Sequence, residues 1–271
     1  MSDTGRLDIV LFTTSRIGVE LAARLVELAE VRSLTVVTTV IPQTRGIVRR
    51  VRRTLRLHGP AGLARFVAGR LRRKLGFRTK TDLGELLARR CPGVRRLHCP
   101  DLHAPESIEQ LRVLAPDLGV VFGCYKLRPS VFAVPRLGSV NLHLGRAPEF
   151  RGSSPGFYEM LEGVPEVGVT VHWVSEALDG GDILLQETFP LELAPPGDPL
   201  KYLRRYRLDV LVPQGERMMA QVVAAIARGP VSARVQDHAR ARARRQASWR
   251  LQRELRRRVA ERRLTFPGNA S

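Results

Sequence analysis

Two apolar, β-branched runs flank an amphipathic stretch near the start of the chain, and this arrangement limits the possible folds more than any other feature. Residues 7–14 (LDIVLFTT) and 34–41 (LTVVTTVI) have the composition of buried strands, and residues 18–30 between them space their apolar side chains about one helical turn apart. A strand, a helix and a second strand in this order pack as parallel neighbours joined by a crossover helix. We therefore predict an α/β fold, a Rossmann-like and mostly parallel sheet with helices on both faces.

The same alternation continues after residue 93. We predict a helix over 105–115, and a long helical stretch over 198–229 in which Pro213 causes a kink or a split. The remaining predicted strands are 94–99, 116–123, 137–143, 168–174 and 182–191.

The positive charge of the chain is concentrated in two segments. Residues 45–96 hold 17 Lys and Arg residues against two acidic residues, and residues 234–263 hold 12 Arg residues against three, whereas the remainder carries a small net negative charge. We predict a basic helical insertion over 44–96, broken at 58–62 and 76–82, within a catalytic domain of residues 1–230. Residues 231–271 are predicted as an Arg-rich helical tail that lies on the surface or frays, because it offers few apolar positions.

Composition and cysteine content limit the class of protein. At 271 residues and 44% apolar content, the chain can bury a full core. Three cysteines are an odd number, and the opening residues MSDTGRLDIV do not resemble a secretory segment, so we expect a reducing, cytoplasmic compartment. No apolar run is long enough to span a bilayer. The spacing of Cys91, His98, Cys99 and His103 is irregular, so we predict no metal site.

The stretch VNLHLGRAPEFRG (140–152) carries the first chemical signal. Asn141 and His143 are two residues apart at the end of a predicted strand, so they share one face at the carboxyl edge of the sheet, where open α/β sheets bind their ligands. An amide and an imidazole together can stabilise an oxygen that gains negative charge. Asp179, in the glycine-rich loop DGGD, supplies the carboxylate that this pair lacks.

Three motifs in this order resemble the folate-dependent formyltransferases, the family that modifies glycinamide ribonucleotide, initiator methionyl-tRNA and nucleotide-linked amino sugars. They are NLH (141–143), RGSSP (151–155) and GVTVHWVSEALDGGDILLQ (168–186), of which the last is the most specific. The resemblance covers residues 116–191 and extends to 7–41. It does not include 44–96 or the residues beyond 230.

The resemblance implies a formyl transfer from 10-formyltetrahydrofolate. Asn141 and His143 would stabilise the oxyanion that forms when a primary amine attacks the formyl group. Asp179 would keep His143 charged and relay the proton of the amine through water. The chemistry of the three side chains indicates the same roles. A carboxylate favours the protonated form of a nearby imidazole, and a charged imidazole stabilises an oxyanion better than a neutral one.

The resemblance also places the pterin of the donor. It would lie beside the loop after strand 116–123, against Tyr125, Lys126 and Leu127, and the main chain at Ala177 and Leu178 would hydrogen-bond it. For Tyr125, two interpretations are equally supported: a contact with the pterin, or an ordinary aromatic side chain that packs under a loop.

Four residues are candidates for contact with the acceptor. Arg151 and Gly152 belong to the RGSSP segment, and Arg16 is the residue after the first strand that could hold a phosphate. His172 shares a strand face with Thr170, and a packed core histidine is the alternative interpretation.

Three departures from the family pattern bear on the acceptor. Leu144 and Gly145 change the lining beside the site, because the family usually has a serine after the histidine. TTSRIG (13–18) holds one glycine where glycinamide ribonucleotide enzymes have a glycine-rich phosphate loop. The helical tail replaces the β-barrel that methionyl-tRNA formyltransferases append.

We therefore predict an N-formyltransferase that acts on a primary amine of a small molecule, such as a nucleotide-linked amino sugar. A methionyl-tRNA formyltransferase is the alternative enzyme. A non-catalytic basic protein that binds RNA or a membrane surface is the alternative from another class, although nucleic acid is not favoured as a partner. The sequence indicates no oligomeric state.

Overall fold

The computed structural model describes residues 5–39, 47–74 and 83–265, and a seven-stranded sheet forms its centre. The strand order is β3-β2-β1-β4-β5-β7-β8. The seven strands are β1 (Leu7–Thr13), β2 (Val31–Thr39), β3 (Arg95–Cys99), β4 (Leu118–Val121), β5 (Ser139–His143), β7 (Glu166–Trp173) and β8 (Ile183–Pro190). A separate two-stranded sheet pairs β6 (Arg151–Gly152) with β9 (Ala243–Arg244).

The sheet is mostly parallel, as predicted. Strands β1 to β5 run parallel to their neighbours, whereas β7 is antiparallel to β5, and β8 is antiparallel to β7. In the β5–β7 register, Asn141 lies opposite His172, and His143 lies opposite Thr170. The reversal at β7 therefore brings two histidine-bearing strands together beside the carboxyl end of β5.

Helices cover both faces of the sheet, which confirms the predicted layers. In β1, Ile9 and Leu11 point into the larger core, and Val10 and Phe12 point into a second core on the opposite face. The helices are α1 (Arg16–Val26), α2 (Ile47–Lys74), α3 (Leu83–Arg90), α4 (Pro105–Leu114), α5 (Pro129–Phe132), α6 (Phe157–Glu162), α7 (Pro199–Tyr206), α8 (Val212–Arg228) and α9 (Trp249–Thr265).

The predicted helical stretch 198–229 is divided into two helices, as its proline suggested. Asp198 caps the start of α7 by accepting a hydrogen bond from the main-chain N–H of Leu200. A π-helical turn, Arg207–Leu211, then connects α7 to α8. Pro213 lies in the first turn of α8, where a missing N–H costs no helical hydrogen bond.

The basic insertion is helical where it is described, and it is kinked at its glycine. Gly59 has φ 66°, which interrupts the helical geometry of α2 just before Pro60. Trp249 of α9 packs close to this kink, and Gln252 of α9 donates a hydrogen bond to the carbonyl of Leu57. The second predicted break, at 76–82, lies outside the described residues.

The tail lies largely on the surface, as expected, but in its described residues it does not fray, because one face of α9 packs into the core. Leu255 and Val259 of α9 are fully buried, and Ala247 just before the helix is also part of the larger core. A few apolar positions are enough to pack α9 against the core, because they recur four residues apart and so lie on one face of the helix. The boundary between a domain of residues 1–230 and a tail of 231–271 remains a prediction. Among the helices described, none is both long and apolar enough to cross a membrane.

Candidate active site

The end of strand β5 presents two polar side chains on one face. Val140 and Leu142 pack into the larger core, while Asn141 and His143 alternate with them. Asn141 is half-buried, and the side chain of His143 is 8% exposed. An imidazole buried to this degree needs hydrogen-bond partners on both ring nitrogens or a charged neighbour.

A main-chain carbonyl fixes the ring of His143. Its Nε2 lies 2.7 Å from the carbonyl oxygen of Phe150 and donates a hydrogen bond to it. Gly145 makes this contact sterically possible, since a Cβ there would lie 2.4 Å from that nitrogen and 2.5 Å from that oxygen. The glycine that departs from the family pattern therefore allows the loop to fold back on the histidine.

The carboxylate of Asp179 lies on the other side of the His143 ring. Its Oδ2 is 3.6 Å from Nδ1 of His143 and accepts a 2.8 Å hydrogen bond from the main-chain N–H of Gly152. Burial by itself would raise the pKa of Asp179, but the nearby His143 and His172 and this N–H outweigh it and lower the pKa to about 2. Asp179 is therefore ionised at neutral pH.

His172 completes the group, which we call the Asp179 cluster (Asn141, His143, His172 and Asp179). Nδ2 of Asn141 lies 3.0 Å from Nε2 of His172 and donates a 3.3 Å hydrogen bond to Oδ1 of Asp179. Nδ1 of His172 donates to the carbonyl of Trp173 at 2.7 Å. The amide, two imidazoles and one carboxylate therefore meet at a single place, which is chemistry suited to proton transfer and to stabilising negative charge.

The loop that follows β5 is held beneath the cluster by the tail. Strand β9 pairs with β6, and the main-chain N–H of Ser153 donates to the carbonyl of Arg244. The guanidinium of Arg244 stacks over the rings of Phe150 and Tyr158 at 5.8 and 5.0 Å. Residues far beyond the third motif thus support the carbonyl and the N–H that contact His143 and Asp179.

Gln236 is a site residue that sequence reasoning missed. It is buried, accepts hydrogen bonds from the guanidinium of Arg151, and donates to the carbonyls of Asp179 and Gly181. Its surroundings in the sequence are polar and Arg-rich, so no apolar pattern indicated that it would be buried.

The three residues expected beside the pterin, Tyr125, Lys126 and Leu127, differ in their exposure to solvent. The hydroxyl of Tyr125 is shared by Thr39 and by the main chain of Leu102, so its ring packs under the loop. Lys126 is exposed, whereas the side chain of Leu127 is buried in the second core, because it faces the helical layer there. A side-chain contact of Leu127 with a ligand is therefore not supported.

The loop before Asp179 is open to solvent. Ala177 and Leu178 are both exposed, and the side chain of Leu178 is 44% exposed. The carbonyl of Ala177 accepts from the main-chain N–H of Gly180 and the hydroxyl of Ser175. The turn is thus held by internal bonds while its outer surface is free for contact.

Of the residues expected to contact the acceptor, one is exposed and others are buried against neighbouring side chains. Arg16 is exposed at the start of α1, at the carboxyl end of β1. The side chain of Arg151 does not support the expected substrate contact, because its guanidinium is buried against Gln236 and lies 3.3 Å from Nδ1 of His238. Gly152 and His172 both contact Asp179.

Two cavities adjoin the loop at Ser154 and Pro155. One holds only about 10 Å³ and is lined by His143, Glu159 and Arg244 among others. The other has a volume of about 620 Å³, an apolar floor and a cationic rim, and lies between the insertion, α7 and the tail. A larger cavity of about 970 Å³ is at the amino ends of β1 and β4, the edge of the sheet that does not bind ligands in such folds.

Metal ligands are not gathered in the part of the chain that the structure describes: no group of three or more His, Cys, Asp or Glu side chains there could hold an ion. Cys91, Cys99 and Cys124 are free thiols. Burial raises the pKa of each of these thiols, and that of Cys124 rises to about 12, so none is a reactive thiolate at neutral pH.

Comparison with known proteins gives a family match over part of the sheet and the Asp179 cluster. Residues 81–195 match the family model described as formyl transferase. The chain is 37% identical over 150 residues to the methionyl-tRNA formyltransferase of Roseiflexus sp. (strain RS-1), a match that covers 55% of this chain and 44% of that protein. It is 34% identical to the methionyl-tRNA formyltransferase of Chloroflexus aggregans over 55% of this chain and 46% of that protein. The chain thus spans less than half the length of these curated relatives.

Solved structures share the fold. Glycinamide ribonucleotide transformylase 1 from Symbiobacterium toebii superposes with a TM-score of 0.55 at 20% identity, over 86% of this chain and 95% of that one. An N-formyltransferase from Helicobacter canadensis, in complex with folinic acid and dTDP-3-aminofucose, gives a TM-score of 0.55 at 12% identity, over 88% of this chain and 70% of that one.

Proposed function

We propose that the protein, whose residues 81–195 match the formyl transferase family model, moves a formyl group from 10-formyltetrahydrofolate to a primary amine. The observation that carries this proposal is the meeting of Asn141, His143 and Asp179 at the carboxyl edge of the sheet. Asp179 is 36 residues away from His143 along the chain, and a purely structural loop would not require a buried carboxylate beside two imidazoles.

The edge of the cluster fits a folate donor. Asn141 is half-buried, and the exposed turn at Ala177 and Leu178 borders the cluster, so a flat ring has an accessible surface beside the reacting groups. Bound 10-formyltetrahydrofolate supplies an activated formyl carbon. In the transfer, the bond from this carbon to the nitrogen of the amine forms and the bond to the nitrogen of the donor breaks, while the amine loses a proton and the donor nitrogen gains one.

Two donors of the cluster can stabilise the formyl oxygen as it becomes negative. Nε2 of His143 is committed to the carbonyl of Phe150, so the N–H available to an oxyanion is at Nδ1. Nδ1 is 3.6 Å from Asp179, close enough for charge attraction but longer than a hydrogen bond. Nδ2 of Asn141 is the second donor. To reach the formyl oxygen, it would give up one of its hydrogen bonds, either to His172 or to Asp179.

Asp179 serves as the permanent negative charge of the reaction. Its pKa of about 2 keeps it ionised, so that it stabilises a protonated imidazole beside it and can accept the proton of the amine through water. Gly152 and Asn141 hold its two oxygens in place. His172 shares Asn141 with the carboxylate, which supports a role in orienting the amide rather than a contact with the acceptor.

For the acceptor we propose an amine on a small molecule that carries a negative charge. The cavity of about 620 Å³ adjoins the same Ser154–Pro155 loop as the small cavity that His143 lines, and its rim includes His58, Arg204 and Arg207. Its apolar floor fits a ring, and its arginines fit a phosphate. A nucleotide-linked amino sugar has both features, and the Helicobacter canadensis relative was solved with dTDP-3-aminofucose.

Initiator methionyl-tRNA is the second candidate acceptor. The curated relatives are methionyl-tRNA formyltransferases, and the exposed arginines of α2 and α9 would attract a phosphate backbone. A small-molecule acceptor with a few phosphates predicts a shallow loss of affinity as salt rises, whereas a tRNA acceptor predicts a steep one. Either reaction would take place in a cytoplasmic, folate-containing compartment.

The test is a donor titration followed by an acceptor panel. We expect a folate analogue to bind the protein and to lose affinity when Leu178 is replaced by Glu at the open turn. Incubation with 10-formyltetrahydrofolate and separate amines, read by the mass gained on each amine, then identifies the acceptor. RNA binding without any folate binding would contradict the proposal and favour a non-catalytic basic protein.

A further inference from the structure

The side chain of Gln236 is held by four hydrogen bonds in a place that is almost fully buried. Its exposed fraction is 2%. Nε2 donates to the carbonyls of Gly181 at 2.5 Å and of Asp179 at 3.0 Å, and Oε1 accepts from Nη2 and Nε of Arg151 at 2.6 and 3.2 Å. An amide has two donor hydrogens and one acceptor oxygen, so all of its polar atoms are used.

The backbone that Gln236 contacts is strained. Asp179 has φ 47°, in the left-handed region that residues other than glycine adopt at a cost. Such a conformation persists only where the surroundings fix it. Two contacts do so here, since the main-chain N–H of Gly152 binds the carboxylate and Gln236 binds the carbonyl of the same residue.

The segment that carries Gln236 is itself fixed on both sides. Arg234 and Ile183 exchange two main-chain hydrogen bonds of 2.8 Å. After Gln236, strand β9 pairs with β6, which begins at Arg151. Gln236 therefore sits between two backbone attachments, and its amide links the Arg151 strand to the Asp179 turn.

We infer that Gln236 is a positioning residue that sets the direction of the Asp179 carboxylate toward His143. This inference rests on the proposed formyl transfer and assigns to the tail a part in it. Without the amide, the carbonyls of Asp179 and Gly181 and the guanidinium of Arg151 would be left buried without these partners, so the turn would relax. The carboxylate would then move away from the imidazole that it stabilises.

Two variants separate the links that Gln236 makes. Gln236→Leu removes all four hydrogen bonds at similar volume. Gln236→Glu keeps an acceptor for Arg151 but loses both donations to the turn. The matched control is Gln221→Leu on the exposed side of α8, whose amide contacts only Arg217 among the bonds described.

We expect both Gln236 variants to lower kcat by roughly 10- to 100-fold, since a misplacement of about 1 Å at a reacting group has this effect. The KM for the folate donor should change little, because the Ala177–Leu178 part of the loop is held by Gly180 and Ser175 and not by Gln236. The acid limb of the kcat profile should move to higher pH, since a displaced carboxylate loses the imidazoles and the main-chain N–H that lower its pKa. Thermal unfolding of each variant shows whether it is folded. If the folded variants have the same kcat and the same pH profile as the unaltered protein, the inference is wrong.

A measurement without activity keeps this inference separate from the proposed function. The carboxyl carbon of Asp179 is followed by NMR while the pH is lowered, in the unaltered protein and in Gln236→Leu, which removes the amide without adding a charge. A higher titration midpoint in the variant supports the positioning role, and an identical midpoint refutes it. If the unaltered protein transfers no formyl group to any amine, the proposed function fails, yet this result on Gln236 still stands.

Discussion

The carbonyl oxygen of Phe150 accepts a 2.7 Å hydrogen bond from Nε2 of His143. This contact fixes the plane of the imidazole and turns its other nitrogen toward Asp179. The carbonyl belongs to a loop and not to a strand, so the orientation of the histidine depends on how residues 144–152 fold back. That loop in turn rests on strand β9 of the tail.

Replacement of Asp179 by Asn should abolish catalysis and preserve the fold. Apart from glycine, Asn tolerates the positive φ of this position better than other neutral residues, so the turn can keep its shape while the charge is lost. We expect the transfer rate to fall by about 10²- to 10⁴-fold, the range for removal of a group that moves a proton. Transfer assays with a folate-binding control measure it. Asp182→Asn in the same loop is the matched variant and should keep its rate.

Asp179 should also make the protein less stable in acid. Its pKa is lowered in the folded state to about 2 from an ordinary value of 3.8, so its contribution is complete above pH 4 and is lost as the pH falls through 2. The loss amounts to roughly 2 kcal/mol of unfolding free energy. Urea unfolding of the unaltered protein and Asp179→Asn at a series of pH values should show a difference that shrinks toward pH 2. A constant difference would contradict this assignment.

Glu159 should give the opposite pH dependence. It lies in α6 with 2% exposure, and burial raises its pKa from 4.5 to about 7. Because the folded state favours the neutral carboxyl, the stability from this group is greatest below pH 4.5 and falls until about pH 7, by roughly 3 kcal/mol. Glu159→Gln should remove this decline in a denaturation series. The exposed variant Glu176→Gln should retain it, and a decline that persists in Glu159→Gln would refute the attribution.

Truncation of Leu255 tests whether the tail belongs to the core. This side chain is fully buried, so Leu255→Ala should lower the free energy of unfolding by about 2–5 kcal/mol. Leu55→Ala on the insertion is the control, because its side chain is 40% exposed and should cost far less. Equal losses in thermal or urea unfolding would show that α9 packs loosely.

The sequence pattern was sufficient for the sheet and for one part of the site. Strand β5 and the shared face of Asn141 and His143 follow from a period of two, which any strand obeys. Asp179 was identified as the missing carboxylate from its loop and from the family resemblance, but its approach to this pair depends on the antiparallel return of β7. No local pattern predicts which neighbour a strand will choose.

The tail shows where sequence reasoning failed and why. Leu255 and Val259 are spaced for one helical face, but a narrow apolar face among arginines resembles a solvated helix. Gln236 carries no signal, since a buried amide is determined by the carbonyls and the guanidinium it meets and not by its neighbours in the chain. Both features arise from contacts between distant segments.

The place of Gln236 in the chain has a consequence for biosynthesis. It follows Asn141 by 95 residues, and strand β9 comes later still. While the ribosome is still making these residues, the sheet and its histidines can already have formed, but the turn at Asp179 has the contact from Gly152 and lacks the one from Gln236. A nascent chain halted before this point would therefore present a folded sheet with an incompetent catalytic edge, and activity would emerge only when the downstream segment docks.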